Sequence, residues 1–155
     1  MSQIFVEIIP FSEENVSYIK ILNVAWLEKY FDVEPSDIKM LSNPREEILD
    51  KGGKIFYAKC NNQIVGTVSL LKIDDATFEL SKMAVSEKFQ GYGIGKAMLE
   101  FCISFAEENK ISKLILFSNT LLVPAITMYK KYGFSEIDLG SSIYKRSNIK
   151  MERNI

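Results

Sequence analysis

A glycine-rich run, Gln90-Gly91-Tyr92-Gly93-Ile94-Gly95-Lys96, joins a segment with the composition of a strand to one with the periodicity of a helix. Thr77 to Val85 carries the β-branched and aromatic residues Thr77, Phe78 and Val85 of a strand, whereas Ile94, Met98, Phe101, Cys102 and Phe105 recur at helical spacing. Glycines at such a turn constrain the chain strongly. The first-turn amides of a helix lack intrahelical partners, and the macrodipole puts partial positive charge on them. Missing Cβ atoms let an anion approach the backbone, so the turn is expected to cradle a phosphate.

Spacing separates the glycine motifs that bind phosphates. Gly91 and Gly95 enclose three residues where a Walker loop needs four, and Ala97 stands where a magnesium-binding Ser or Thr should follow Lys96. A dinucleotide fingerprint needs two residues between its last glycines, yet Gly93 and Gly95 enclose only Ile94; its acid, about 20 residues on, is missing from Ile111 to Asn119. Gln90, Gly93 and Gly95 instead fill the defining places of the Gln/Arg-x-x-Gly-x-Gly/Ala signature of the GNAT acetyltransferase superfamily, which this stretch resembles. Downstream, Asn119, Leu122, Ala125, Tyr129, Lys131, Gly133 and Phe134 are similar to its second signature, and Phe78 to Val85 resembles its central strand. The resemblance covers Lys54 to Met151 in the family's motif order. Leu22, Asn23, Trp26, Leu27, Tyr30 and Phe31 look like the N-terminal helix of a subgroup of small bacterial acetyltransferases.

Composition sets the outer limits. The 155 residues, 47% apolar and 25% charged, suit a single globular domain spanning 1–155. A net charge of -1 argues against general binding to nucleic acid or an anionic membrane. The chain lacks an apolar run of membrane-spanning length and a leader-like start, so a cytoplasmic protein is expected. Two cysteines make no disulfide framework, and the absence of histidine removes the common zinc clusters and any Cys-His or Ser-His nucleophile. No metal is expected.

Patterning places a first strand at Ile4 to Ile9, a long helix starting after Ser12 and Asn15, and short helices at Ser36 to Leu41 and Pro44 to Leu49. A meander of strands follows at Lys54 to Cys60, Gln63 to Ile73 and Ala76 to Val85, with Asn61/Asn62 and Asp74/Asp75 as turns suited to left-handed backbone. Lys96 to Asn109 and Val123 to Tyr132 read as helices, Lys113 to Phe117 as a buried strand, and Ser135 to Asp138 with Tyr144 to Met151 as a closing pair. Glu152 to Ile155 are expected to fray.

The resemblance implies an α/β fold of α+β type, the acyl-CoA N-acyltransferase fold. Its mixed, mostly antiparallel sheet of about seven strands splays between strands 4 and 5 and is flanked by helices. It implies acetyl-CoA as donor and an amine as acceptor, by direct attack in a ternary complex. Backbone amides of Gln90, Gly91, Tyr92, Gly93, Ile94, Gly95 and Lys96 would bind pyrophosphate, and Met83, Ala84 and Val85 the pantetheine. Lys88, Lys130 and Lys131 are candidates for the ribose 3′-phosphate, against a simple solvated surface. Asn119 would hydrogen-bond the pantetheine or cap a turn, while Leu122 replaces a family asparagine and removes that contact.

Tyr129 is the expected acid near the coenzyme sulfur, or else a packing aromatic. Glu79 is the expected base, with a substrate-ammonium contact or a structural ion pair as alternatives. Strand alternation puts Glu79 on one face with Ser81, Met83 and Val85, and Lys82 on the other. Trp26 and Tyr30, four apart on one helix face, are the acceptor-pocket candidates; Trp26 also fits a core stripe. Aromatics with Glu79 at depth point to a small, modestly apolar primary amine. Acetylation of protein or peptide amino groups and a non-catalytic acetyl-CoA-binding module are the alternatives. Homodimers through C-terminal edge strands occur in the superfamily.

Overall fold

The computed structural model describes residues 4–140 and 144–155. Strands run over Glu7–Pro10 (β1), Lys54–Cys60 (β2), Gln63–Lys72 (β3), Thr77–Val85 (β4), Lys113–Ser118 (β5), Ser135–Ile137 (β6) and Ile149–Asn154 (β7). Helices run over Val16–Tyr30 (α1), Pro35–Ser42 (α2), Ile94–Glu108 (α3) and Val123–Lys131 (α4). Local chemistry explains the boundaries. Pro35 opens α2, where the Glu34 amide donates to Asp37 Oδ2 at 2.9 Å in a reciprocal cap. Asn61 and Asn62 turn the β2–β3 hairpin at φ 50 and 62.

The seven strands lie in the order β1-β2-β3-β4-β5-β7-β6. All neighbours are antiparallel except β4 and β5, which pair in parallel only from Thr77↔Lys113 to Glu79↔Ile115. Beyond Glu79 the two strands part, as the expected splay requires. One face of the sheet packs Phe56, Val68 and Leu80 against Met98, Leu99 and Cys102 of α3. The other packs Ile55 and Tyr57 against Ile19, Leu22 and Leu27 of α1 and Leu41 of α2. An apolar stripe on each helix thus covers one side of the sheet.

Three expectations need correction. Asp74 and Asp75 do not turn through left-handed backbone; the Asp74 carboxylate accepts from the Ala76 and Thr77 amides at 2.9 and 2.8 Å, closing the turn by its side chain. The last strand begins at Ile149 rather than Tyr144. Nor does the C-terminus fray: Glu152 pairs with Ile115 and Ser135 in the sheet, and the Ile155 amide donates to the Ser112 carbonyl at 2.9 Å. Pairing with β5 on one edge and β6 on the other makes β7 an interior strand despite its polar sequence.

Gly53, before β2, tests the packing of the second face. A Cβ there would lie 2.6 Å from the Leu70 carbonyl and 2.9 Å from the Ile48 carbonyl, both backbone atoms that cannot swing away. Gly53→Ala should lower unfolding free energy by about 1–3 kcal/mol, the cost of overpacking, measured by urea denaturation.

Candidate active site

Where β4 parts from β5, a cavity of about 660 Å³ opens through the sheet. It draws Asn23, Trp26, Leu27, Tyr30 and Phe31 from the α1 side, and Leu116, Pro124, Ala125, Met128 and Tyr129 from the α4 side. Glu79, Ser81, Lys82, Met83, Ala84 and Val85 form its edge on β4. Gln90, the residue that opens the glycine turn, lines the same cavity. Gly91 and Gly93 adopt φ 86 and 81, and a Cβ on either, or on Gly95, would meet nothing within 4 Å. Among the described residues no amide from Gly91 to Lys96 donates to a backbone carbonyl; the first that does is Ala97, to Gly93 at 3.0 Å. Six consecutive amides at a helix N-terminus therefore lack a backbone partner, and the three glycines among them leave room for an oxyanion to approach.

A bulge decides what β4 presents. Ser69↔Ser81 and Thr67↔Ala84 leave one extra residue in β4, and Lys82 takes φ 52. Alternation is thereby inverted. Glu79 and Ser81 do not share a face with Met83 and Val85, which pack on the α3 side, while Ala84 joins the α1 side. Lys82, expected opposite Glu79, comes round to the α2 side, where its ammonium meets Asp37 Oδ1 at 2.8 Å. This left-handed lysine is buried, so the ion pair holds the bulge in place.

Asp37 also receives Arg146, Nη1 to Oδ2 at 2.7 Å and Nη2 to Oδ1 at 2.9 Å, and Arg146 Nη1 reaches Glu34 Oε2 at 3.0 Å. Although burial opposes its charge most, hydrogen bonds from Arg146 and Lys82 hold the Asp37 carboxyl down to about 2. Burial pushes the Lys82 ammonium below its ordinary value against the pull of Asp37. The Tyr144 ring lies against both cations, its centroid 4.7 Å from Lys82 Nζ and 5.1 Å from the Arg146 guanidinium carbon. Its hydroxyl donates to Glu79 Oε2 at 3.1 Å.

Glu79 is buried at the last paired rung of β4 and β5. Desolvation raises its carboxyl above 4.5, outweighing the hydrogen bonds of Tyr144 and Ser81 and the positive charge of Lys82. Tyr129 is half-buried beside Phe134, ring centroids 5.9 Å apart, and burial pushes its phenol up to about 12. Trp26 packs at a tilt against Tyr30 at 5.4 Å and Phe31 at 5.8 Å, forming an aromatic wall whose outer member, Tyr30, is exposed. Asn119 donates to the Arg146 carbonyl at 2.7 Å and accepts from the Leu121 amide at 2.9 Å, tying the end of β5 to the chain before β7. Lys88, Lys130 and Lys131 are exposed and do not line the cavity.

Sequence reasoning missed Tyr144, Asp37, Glu34 and Arg146. A lysine inside an apolar strand signals a buried partner, but nothing near Lys82 in the chain says which carboxylate it meets. Among the described residues no group of His, Cys, Asp or Glu is placed to hold a metal ion, and no helix is long and apolar enough to cross a membrane.

Residues 51–136 match the family model of the acetyltransferase (GNAT) domain. The chain belongs to the GNAT family. Its fold is that of the GNAT-family acetyltransferase from Staphylococcus aureus Mu50, with a TM-score of 0.86 at 24% identity over 97% of this chain and 99% of that one. A GNAT-family acetyltransferase from Elizabethkingia anophelis with acetyl-CoA bound has a TM-score of 0.65 at 24% identity, covering 97% and 98%. Rat N-acetyltransferase 8B is 29% identical over 92 residues, 56% of this chain and 41% of that protein. Zebrafish N-acetylaspartate synthetase is 33% identical over 87 residues, 56% and 31% of the two chains. The GNAT chain described here thus spans less than half the length of these curated relatives.

The raised carboxyl of Glu79 gives a stability signature. Its folded form prefers the proton, so its contribution is complete below the unfolded value near 4.5 and is lost as pH climbs through the raised folded value. Glu79→Gln should remove that decline: unfolding midpoints of parent and variant should diverge in the variant's favour as pH rises from 4 towards neutrality.

Proposed function

We propose that this GNAT protein transfers an acetyl group from acetyl-CoA to a primary amine. The observation that carries the reading is the run of unpaired amides from Gly91 to Lys96 beside a passage between parted parallel strands. The pyrophosphate takes the amides of that turn, and the pantetheine arm enters the gap alongside Met83, Ala84 and Val85, whose backbone supplies the partners a neighbouring strand would. Lys131, with Lys88 and Lys130, is left for the ribose 3′-phosphate. Asn119 shapes this wall through its bonds to Arg146 and Leu121 rather than through the one family position that Leu122 fills.

The acceptor enters from the α1 side, with its ammonium towards Glu79 and its stem against Trp26 and Tyr30. Glu79 takes one proton. The freed lone pair attacks the thioester carbonyl, a C–N bond forms, and the C–S bond breaks with its electrons leaving on sulfur. A phenol near 12 is a weaker acid than a thiol of ~8.5. Tyr129 therefore relays the surplus nitrogen proton of the adduct to sulfur instead of giving up its own outright. The raised carboxyl of Glu79 brings its basicity closer to neutral pH, where a base is most effective.

Thiol release from acetyl-CoA in the presence of an amine panel tests the assignment. Turnover restricted to peptide or protein amino groups would replace the small acceptor; coenzyme binding without release towards any acceptor would leave a binding module.

Two substitutions separate donor binding from chemistry. Gly95 has open space at its Cβ position and no left-handed strain, and an acid in the first turn suits the helix dipole. Gly95→Asp should keep the thermal midpoint at or above the parent's while coenzyme A binding disappears in calorimetry. Retained affinity would move the phosphate site elsewhere. Tyr129→Phe preserves the ring and its packing on Phe134, so kcat should drop ~10²-fold with donor affinity unchanged; a kcat near the parent's would return Tyr129 to a packing role.

A further inference from the structure

The acceptor half of the cavity contains two cations, and the fold has already given each of them a carboxylate. Lys82 Nζ lies 2.8 Å from Asp37 Oδ1. Arg146 Nη1 is shared between Glu34 at 3.0 Å and Asp37 at 2.7 Å, and Nη2 reaches the other oxygen of Asp37. Both cations line the cavity, as does Glu79; Asp37 and Glu34 stand behind them. The Tyr144 ring packs against both cations, and its hydroxyl is turned to Glu79. Within this hydrogen-bonded cluster three carboxyl groups oppose two cations, with Lys150 acting on Glu79 only through its charge, and Glu79 is the carboxyl with no ion-pair partner of its own among the described residues, facing the acceptor nitrogen.

From this arrangement we infer that the acceptor is an alkyl- or arylalkylamine without a carboxylate on the carbon bearing the nitrogen, and that Glu34 and Asp37 set this preference. The inference rests on the acetyltransferase reading above. An α-amino acid brings its carboxylate within a few ångströms of its ammonium, hence close to Glu79. To be stabilised there it would have to displace Asp37 or Glu34 from a guanidinium already held bidentately by Asp37. A carboxylate left unpaired beside another carboxylate in a desolvated pocket is strongly disfavoured. An ammonium on an apolar stem meets none of these costs: its charge finds Glu79, and its stem the wall of Trp26, Tyr30 and Phe31. Asn23, whose side-chain amide donates to the Ile19 carbonyl at 2.8 Å, adds a polar edge to that wall.

Matched acceptors test the inference in the full chain with acetyl-CoA: 2-phenylethylamine, phenylalanine and phenylalaninamide, the last keeping the bulk of the amino acid without its negative charge. The amine and the amide should exceed the acid in kcat/KM by at least about tenfold. Glu34→Gln removes one of the charges committed to Arg146, and should narrow the ratio of amine to acid by raising turnover of the acid. Equal use of amine and acid would overturn the inference while leaving the acetyltransferase reading in place. So would an amide as poor as the acid, because size rather than charge would then govern. Inertness towards every amine, small or peptidic, would instead bring down the acetyltransferase reading and this inference with it.

Discussion

The short parallel pairing of β4 with β5 governs the rest of the molecule. Parallel strands joined through a helix ordinarily continue to pair along their length, because every unpaired amide inside a domain must find another partner. Here pairing stops after Glu79↔Ile115, and the strand edges beyond it line a cavity instead of each other. A sheet can tolerate such a gap only if its two halves are held by other means. On one side β4 is braced by β3 and by the helices on both faces; on the other β5 is braced by its six-residue register with β7. This explains why the C-terminal residues are fixed in the sheet: without β7, β5 would lose its main antiparallel neighbour and the gap its far wall.

The second brace is electrostatic. A bulge in β4 puts Lys82 in a left-handed conformation that costs roughly 1–2 kcal/mol for a non-glycine residue. Its ammonium is then buried, which is costly unless paired. Asp37 meets both demands, and the same carboxylate receives Arg146 from the chain before β7. One buried carboxylate therefore links α2, the bulged strand and the C-terminal segment around the mouth of the cavity. The link serves the site directly, since the bulge also inverts the faces of Met83, Ala84 and Val85 relative to Glu79 and Ser81.

How much of this was legible in the chain follows from the range of each interaction. The glycine turn, the hairpin at Asn61 and Asn62, and the proline-started helix α2 are local, set by backbone freedom within a few residues, and they lie where the pattern places them. Strand and helix periods placed the meander and α3, whereas the central splay followed only from the resemblance to the family. The bulge escaped detection because a single inserted residue leaves composition unchanged while reversing the parity on which any face assignment depends. Asp37, Arg146 and Tyr144 escaped for another reason. Their partners lie 45 to 109 residues away, at Lys82, Asp37 and Glu79, and surface-like spacing in the chain hides a charge that is buried in the fold.

Those distant contacts also couple the base candidate to the brace. Glu79 accepts from a tyrosine whose ring packs against both Lys82 and Arg146, so the position of the hydroxyl depends on the cluster around Asp37. Loss of that cluster would release the ring, remove a donor from Glu79 and leave desolvation even less opposed, raising the carboxyl further from its ordinary 4.5. The charge arrangement that excludes a second carboxylate from the pocket is therefore the same one that keeps Glu79 ionisable within it. Specificity and basicity here are two consequences of a single buried network, fixed by where a bulge turns one lysine.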